Sequence, residues 1–229
     1  MKRIITTIAM LAVLATPIFA QNRDNDATLV KSEDDMISLV AVDHWGYGYH
    51  FVTTDSYTPA EASQVFLNIL KLKVYPIKNL GLEVGADIKF DHFLSVQDGF
   101  RLDANKKLQA FNLSDEFGSG ITKKRGWTHF TSLSIPAVIK LGSESLRIGA
   151  GIEGSLNFKN SANYKFKDGG KTQKSKDKGM DVKTFDYNFV GMLTIGNTSI
   201  FGKYYPNGWI VKDGNVNMSY WTLGVGFGF

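Results

Sequence analysis

Apolar and polar side chains alternate one by one along much of the chain. The segment 80–91 is the clearest case, because every even position from Leu80 to Phe90 is apolar while the odd positions carry glycine or charge. A period of two residues places successive side chains on opposite sides of an extended backbone. The pattern therefore predicts a long β-strand with one apolar face and one polar face.

The same alternation recurs and predicts eight strands. They cover approximately 37–51, 64–75, 80–91, 127–141, 146–158, 185–195, 198–205 and 217–229. The connections at 76–79, 142–145 and 196–197 are short and suit tight turns. The other connections are longer, and two of them, 95–126 and 159–183, are long and polar.

This regular change of connection length favours a membrane barrel over a soluble β-sandwich. Transmembrane barrels keep short turns on the periplasmic side and longer loops outside, and each strand needs only about 9–11 residues to cross the bilayer. Glycine and charge fit the inside of a narrow barrel, while the apolar face fits lipid. The predicted fold class is all-β, a transmembrane antiparallel up-and-down β-barrel of about eight strands.

The first twenty residues are typical of a secretory signal peptide. Lys2 and Arg3 precede a largely apolar, uncharged stretch that ends at the small residue Ala20. We expect residues 1–20 to be the signal, 21–35 a polar leader and 36–229 the barrel domain. Without Lys2 and Arg3 the formal net charge falls from +4 to +2, so charge gives no indication of a nucleic-acid partner.

Composition excludes several other classes of protein. The 229 residues include no cysteine, which rules out disulfides, thiolate metal sites and a lipid-modified N-terminal cysteine. No apolar run of about 18 residues follows the predicted signal, so a transmembrane helix is not expected. The remaining choices are a soluble secreted β-protein, such as a lipocalin-like barrel or a sandwich, and a barrel of the cell outer membrane, which we favour.

The end of the chain carries a family resemblance. The last strand looks like the aromatic-ended strand that outer-membrane assembly machinery reads, with signal positions Trp221, Leu223, Val225, Phe227 and Phe229. The segment 133–140 is similar to the fourth-strand pattern of the porin-family outer-membrane β-barrel domain, and the whole plan is similar to OmpX-like and OmpA-like barrels. The resemblance implies a barrel far more specifically than it implies an activity.

Seven charged residues are expected to line the lumen. They are Lys71, Lys73, Glu83, Asp87, Arg147, Glu153 and Asp186. One interpretation is a narrow path for ions or small solutes, and the other is a plug of salt bridges. Eight strands leave an interior about wide enough only for side chains, which favours the plug.

The connection 159–183 is rich in lysine. The predicted basic surface loop contains Lys165, Lys167, Lys171, Lys174, Lys176 and Lys178. It could bind phosphates of lipopolysaccharide or an acidic extracellular polymer. The alternative is a mobile loop that charge keeps solvated, which is the usual behaviour of such runs.

Candidate catalytic groups are few. His44, His50, His92 and His129 are the four histidines, and a barrel enzyme acting on lipid A would need one of them beside a carboxylate or hydroxyl at the outer rim. No spacing links a histidine to such partners, so we predict no catalytic residue, cofactor site or metal site.

The sequence thus predicts a monomeric, non-catalytic outer-membrane barrel with a structural or surface-interaction role. Its expected partners are outer-membrane lipid and lipopolysaccharide, the assembly machinery during biogenesis, and an extracellular ligand of unknown identity that meets the long loops. A narrow porin-like channel and a lipid A-modifying enzyme are the alternatives.

Overall fold

The computed structural model describes residues 28–31, 36–77, 79–143 and 145–228. The predicted signal peptide and the first residues of the leader lie outside this range, whereas residues 28–31 of the leader form a strand. Within the described ranges, no helix is both long and apolar enough to span a membrane.

The described residues form mostly β-structure. The strands are β1 (Thr28–Lys31), β2 (Ile37–Ala41), β3 (His44–Thr54), β4 (Pro59–Ile77), β5 (Leu80–Ser95), β6 (Asp98–Leu102), β7 (Leu108–Asn112), β8 (Thr122–Ser143), β9 (Leu146–Asp168), β10 (Lys171–Lys178), β11 (Phe185–Ile195), β12 (Thr198–Tyr204) and β13 (Met218–Gly228). A short helix, α1, covers Leu113–Phe117.

Eight of these strands close into one antiparallel ring. The order around the ring is β3, β4, β5, β8, β9, β11, β12 and β13, and β13 pairs back onto β3. Neighbours in the ring are also neighbours among these eight strands along the chain, as in an up-and-down barrel. The predicted architecture is confirmed.

The ring strands are tilted relative to the barrel axis. A path of directly paired residues can be followed once around the ring: Val74, Leu82, Ile139, Ala150, Gly191, Gly202, Leu223, Tyr49 and Ser63. The path begins at Val74 of β4 and returns to the same strand at Ser63. Such a displacement along the strand is the shear that accompanies tilt in a closed barrel.

The faces of the wall are inverted relative to a water-soluble protein. Leu82 is 42% exposed on the outside of β5, whereas its neighbour Glu83 is 7% exposed in the interior. Exposed isoleucine, leucine and phenylalanine side chains continue around the outer surface, for example Ile139, Ile152 and Phe189. A closed ring leaves no unpaired edge in hydrocarbon. Together with the apolar outer face, it is the arrangement of a transmembrane barrel and not of a lipocalin-like protein or a sandwich, whose apolar side chains face inward.

The first predicted strand, 37–51, is interrupted. Val42 has a positive φ of 51° and separates β2 from β3. Below this kink β2 pairs with the lower part of β4, Ile37 opposite Val74, while β3 pairs with the upper part. The kink also places Asp43 at the edge of the lumen, where two lysines meet it.

The segments 95–126 and 159–183 were expected to be long polar loops, and this expectation is wrong for most of their length. β9 continues beyond its last pair with β11, Leu156 opposite Phe185, and stays paired with β8. β8 itself stays paired with β5 as far as Gly126. β10 adds to β9, and β6, β7 and α1 pack against this sheet. We call this assembly, 98–130 together with 159–178, the headpiece. Its inner face has a small apolar core that includes Leu113, Ile121 and Phe166, which explains why the segments fold.

An aromatic cap closes the barrel at the headpiece end. Buried side chains from the upper strands and from the connection after β12 pack together there. They include Tyr57, Phe93, Phe100, Phe130, Tyr205, Trp209 and Tyr220. The opposite end carries the three tight turns and is called the turn end.

Candidate functional sites: the barrel interior and the basic outer face

A buried ion cluster lies at the centre of the lumen. Lys203 Nζ donates to Glu153 Oε2 at 2.7 Å, and Lys89 Nζ donates to Glu153 Oε1 at 3.2 Å. Asn188 also donates to Glu153, which is only 2% exposed. One carboxylate thus receives two lysines, a geometry that offsets the cost of burying all three charges.

Hydrogen bonds extend this cluster across the barrel. Lys203 donates to the Gln64 side-chain oxygen at 3.0 Å, and the Gln64 amide donates to Asp91 at 2.7 Å. His50 Nε2 lies 3.1 Å from the same Asp91 oxygen. We call Gln64, Lys89, Asp91, Glu153 and Lys203 the central plug. Its members come from β4, β5, β9 and β12, so they block the lumen from wall to wall.

His50 has neighbours of the kind that catalytic histidines use. Its Nδ1 lies 2.7 Å from the Thr222 hydroxyl, and its Nε2 faces Asp91. However, His50 is 1% exposed and Thr222 is 0% exposed, and the Phe93 ring stacks on the imidazole at 5.0 Å. A substrate has no access to the hydroxyl, so the arrangement acts as packing within the barrel.

A cavity of about 240 Å³ lies between the central plug and the turn end. Asp43 accepts from Lys71 at 2.7 Å and from Lys73 at 2.6 Å. Lys140 lies 2.8 Å from Glu83. Lys71 also lies 3.7 Å from Glu83, so a single network of ion pairs lines the wall. Phe66, Glu153 and Lys203 bound the cavity on the plug side.

The tyrosine at the end of β4 joins these groups. Tyr75 donates to Glu83 at 2.6 Å and accepts from Arg147 at 2.8 Å, and the guanidinium lies over the Tyr75 ring. The ring also fills the space beside Gly81, where an added Cβ would lie 2.2 Å from a ring carbon.

The seven predicted lumen residues do not form one network. Lys71, Lys73, Glu83 and Arg147 line the cavity at the turn end, and Glu153 belongs to the central plug. Asp87 accepts from Asn68 at 2.7 Å, and Asp186 accepts from Asn207 at 3.0 Å.

The sequence reasoning left out five charged members of the interior. They are Asp43, Lys89, Asp91, Lys140 and Lys203. Three of them could have been found, because Lys89, Asp91 and Lys140 occupy the polar phase of their own alternating strands. Lys203 shares its phase with Phe201, so the alternation does not assign it to a face. Asp43 shares the odd positions of the predicted strand 37–51 with Trp45 and Tyr47, so the alternation assigned it to the wrong face. The kink at Val42 turns it toward the lumen.

The lysines of the predicted basic loop lie mostly on one side of a β-sheet. Pairing places Lys165 opposite both Arg125 of β8 and Lys174 of β10, and it places Lys176 opposite Asn163. We call the following set the basic face: Arg125, Lys159, Lys165, Lys167, Lys174, Lys176 and Lys178. Lys171 belongs to the opposite side, at the tip of the hairpin.

The two sides of this sheet differ sharply in chemistry. On the inner side Phe166 stacks on Phe117 at 4.5 Å, and Asp177 accepts from the Leu102 amide at 2.9 Å. The outward-facing residues of the sheet lie within 92–94, 125–131, 159–167 and 172–178. None of these outward-facing described residues is acidic, since Asp177 faces inward. Within the described part of the chain, no basic-face side chain forms an ion pair.

The basic face begins where the lipid-facing surface ends. Phe158, 64% exposed, is the last large apolar residue on the outside of β9, and Lys159 follows it directly. His92 and His129 lie at the same border, paired across β5 and β8 with their Nδ1 atoms 3.0 Å apart. Both face outward, above the membrane-spanning part of the wall.

The predicted assembly residues lie on the last ring strand. Trp221, Leu223, Val225 and Phe227 are exposed on the outer side of β13, and Trp221 stacks on Phe51 at 4.0 Å. Phe229 lies outside the described residues.

Neither a protein-family model nor a curated protein matches this sequence. Among solved structures, the chain is similar to Ail, the attachment invasion locus protein of Yersinia pestis, solved with the heparin analogue sucrose octasulfate. The identity is 15%, the TM-score is 0.33, and the match covers 84% of this chain and 97% of Ail. Neisserial surface protein A matches with 10% identity and a TM-score of 0.32, over 84% of this chain and 97% of its own. Likeness at this level carries no argument about function, and the barrel rests on the strand pairing described above.

Proposed function

We propose that this chain is a non-catalytic barrel of the outer membrane that holds the headpiece at the cell surface in a structural or surface-interaction role. The signal peptide 1–20 directs export, and the last strand, with Trp221 and Phe227, serves as the assembly signal. The turn end then faces the periplasm, as short turns do in bacterial barrels. The protein acts as a monomer, because the closed ring needs no second copy to satisfy its strand edges.

The observation that carries this proposal is the sealed lumen beneath a folded headpiece. Lys203 and Lys89 meet at Glu153 in the middle of the barrel, and the aromatic cap packs above them. A transport protein needs a continuous aqueous path, whereas this interior is blocked at the central plug by paired side chains. The barrel therefore serves to hold the headpiece in place.

The two alternatives conflict with particular contacts. A narrow channel would have to cross the central plug, where breaking one partner of the cluster leaves a charge buried without compensation. A lipid A-modifying enzyme would need a reactive group at the outer rim, whereas His50 and Thr222 are buried under Phe93. His92 and His129 at the rim have each other as nearest polar partners and no carboxylate in hydrogen-bond reach among described residues.

Membrane extraction followed by gel electrophoresis tests the proposal. We expect the full chain to fractionate with the outer membrane and to migrate faster before boiling than after, because a closed barrel resists detergent until heated. A soluble protein without heat-modifiable migration would refute it.

Planar bilayer recordings and lipid A mass spectra test the two alternatives. We expect no conductance above background from the heat-modifiable protein, and an unchanged lipid A profile in cells that lack the gene. Steady unitary currents would favour the channel instead, and an altered lipid A mass would favour the enzyme.

A further inference from the structure

We propose that the basic face binds the phosphate groups of lipopolysaccharide molecules standing beside the barrel in the outer leaflet. This inference rests on the proposed outer-membrane location and names the ligand of one surface. The ligand is a phosphorylated glycolipid. It approaches the basic face laterally, from within the membrane, and not from the external medium.

The direction of the face supports a lateral ligand. Pairing connects Lys176 through Asn163 to Trp127, and Lys178 through Ser161 to His129, so these lysines continue the outward side of the wall. The same side carries Phe158 and Ile152 one level below. A molecule that touches the barrel wall with its acyl chains therefore meets the basic face with its headgroup.

The height of the face fits a lipid headgroup and the sugars next to it. Lys159 follows the last lipid-facing residue, and Lys165 lies seven residues above Phe158. At about 3.3 Å per residue and the usual strand tilt, the face spans roughly the first 18 Å above the apolar wall. Phosphates at the membrane surface lie within that range.

The pairing of like charges supports an anion between them. Arg125, Lys165 and Lys174 form a row across β8, β9 and β10, each directly opposite the next. Like charges directly opposite one another destabilise a sheet unless an anion lies between them. Lys176 is also close enough to His129 that its charge adds to burial in lowering the pKa of that imidazole.

A mobile, merely solvated loop does not account for this arrangement. Random placement would distribute the lysines over both sides of the hairpin, whereas five of the six predicted loop lysines share one side. Their partners on the other side are fixed by the headpiece core, including Phe166 against Phe117. The basic face is therefore held in one orientation by packing.

Binding by a triple variant tests the proposal. The full chain is purified in lipid nanodiscs and titrated with labelled lipopolysaccharide, with the same material after enzymatic dephosphorylation, and with heparin as a soluble sulfated polymer. The test variant is Lys165→Gln/Lys174→Gln/Lys176→Gln. The matched control, Lys106→Gln/Lys171→Gln/Lys212→Gln, removes the same charge from exposed positions away from the face.

We expect the test variant to bind lipopolysaccharide on the order of 10-fold more weakly than the wild type, since juxtamembrane cations each add to attraction for anionic lipid. The control should bind within about 2-fold of the wild type, because its lysines lie off the face and exposed charges are screened. Dephosphorylation should weaken wild-type binding similarly. Equal binding by all three proteins would overturn the proposal, as would a wild type that binds heparin but does not distinguish the two lipopolysaccharides.

Thermal unfolding separates ligand binding from a structural role. Without lipopolysaccharide, Lys174→Gln should raise the unfolding temperature, because it relieves the Lys165 repulsion; with lipopolysaccharide, the wild type should gain more than the variant. A variant that is less stable in both conditions would contradict the proposal. Heat-modifiable migration is recorded on every sample, so failure of the barrel itself is distinguished from failure of the basic face.

Discussion

Glu153 is the residue on which the ion pairing of the barrel interior depends most. Glu153 holds two lysines at once, so its carboxylate is the group on which the central plug depends. The bulk of a plug could be supplied by apolar side chains, yet a half-removed ion cluster leaves charges without partners. Ion pairing in such a site is therefore sensitive to single substitutions.

We expect Glu153→Ala to destabilise the folded barrel by about 3–5 kcal/mol, because Lys89 and Lys203 would stay buried without their shared carboxylate. Urea unfolding in detergent micelles measures the change. The control Asp168→Asn removes an exposed charge at the hairpin tip and should change stability by less than about 0.5 kcal/mol. The triple variant Glu153→Leu/Lys89→Met/Lys203→Met should recover most of the loss, and continued instability of that variant would contradict the explanation.

The histidine pair at the membrane border gives a prediction in pH. Burial, together with the nearby His129, lowers the pKa of His92 from 6.5 to about 4. The unfolded chain therefore binds this proton first as the pH falls, and the stability that the pair contributes is present above pH 6.5 and is lost on the way to pH 4.

Nuclear magnetic resonance of the histidine rings in micelles measures this directly. We expect His92 to remain neutral at pH 5.5 and its pKa to rise in His129→Gln, since one neighbouring positive charge is removed. A His92 that titrates near 6.5 in the wild type would contradict the packing of the pair.

Individual strands show how one alternation pattern serves two environments. On β9 the outward positions up to Phe158 are apolar, and those from Lys159 to Lys167 are basic or polar. The strand stays paired with β8 through both levels, with two register shifts. Pro136, which has no backbone N–H to donate, also fits its strand. The pairing between β5 and β8 is interrupted between the pairs Val84–Ala137 and Asp87–Ser134, so no residue of β5 is paired with Pro136.

The height of a residue on the outer surface should decide the effect of an added charge. Ile152→Lys is expected to cost about 2–4 kcal/mol, because it places a cation on the lipid-facing wall. Thr172→Lys, on the aqueous outer side of β10, should cost less than about 1 kcal/mol, because its main penalty is the like charge of Lys167 on the paired strand. Refolding yield and urea midpoints in lipid vesicles measure both, and equal effects would mean that the two levels share one environment.

The whole molecule combines a membrane wall, a central plug and a headpiece whose strands grow directly out of the wall. Because β8 and β9 are continuous through both parts, the headpiece is held rigidly relative to the barrel. Rigid presentation reduces the entropy that a surface loses when it binds a ligand. This suits a role in which a fixed face meets neighbouring molecules.

Trypsin treatment of intact cells tests this rigidity. Despite its many lysines, the headpiece should be cut mainly at the tip of the β9–β10 hairpin, around Lys171, because paired backbone resists proteolysis while exposed turns do not. Boiled protein should be digested throughout. Rapid cutting at Lys165 and Lys176 in intact cells would show that the segment behaves as a loop after all.

The alternation of apolar and polar residues, by itself, determined the ring of strands and the inversion of its faces. A period of two is a local property, and each of the segments 80–91, 146–158 and 217–229 carries enough of it to be read alone. The same logic would have assigned Lys89 and Lys140 to the interior, since both follow the polar phase of their strands.

Only the tertiary structure decided how the interior charges are grouped and what the two long connections become. Which lysine reaches Glu153 depends on tilt and register, which bring β5, β9 and β12 to one level of the barrel. Likewise, the lysines of 159–178 read as a solvated run until β8 extends beside them and the headpiece core covers one side. Register between distant strands is set by pairing across the whole ring, and a linear pattern contains no measure of it.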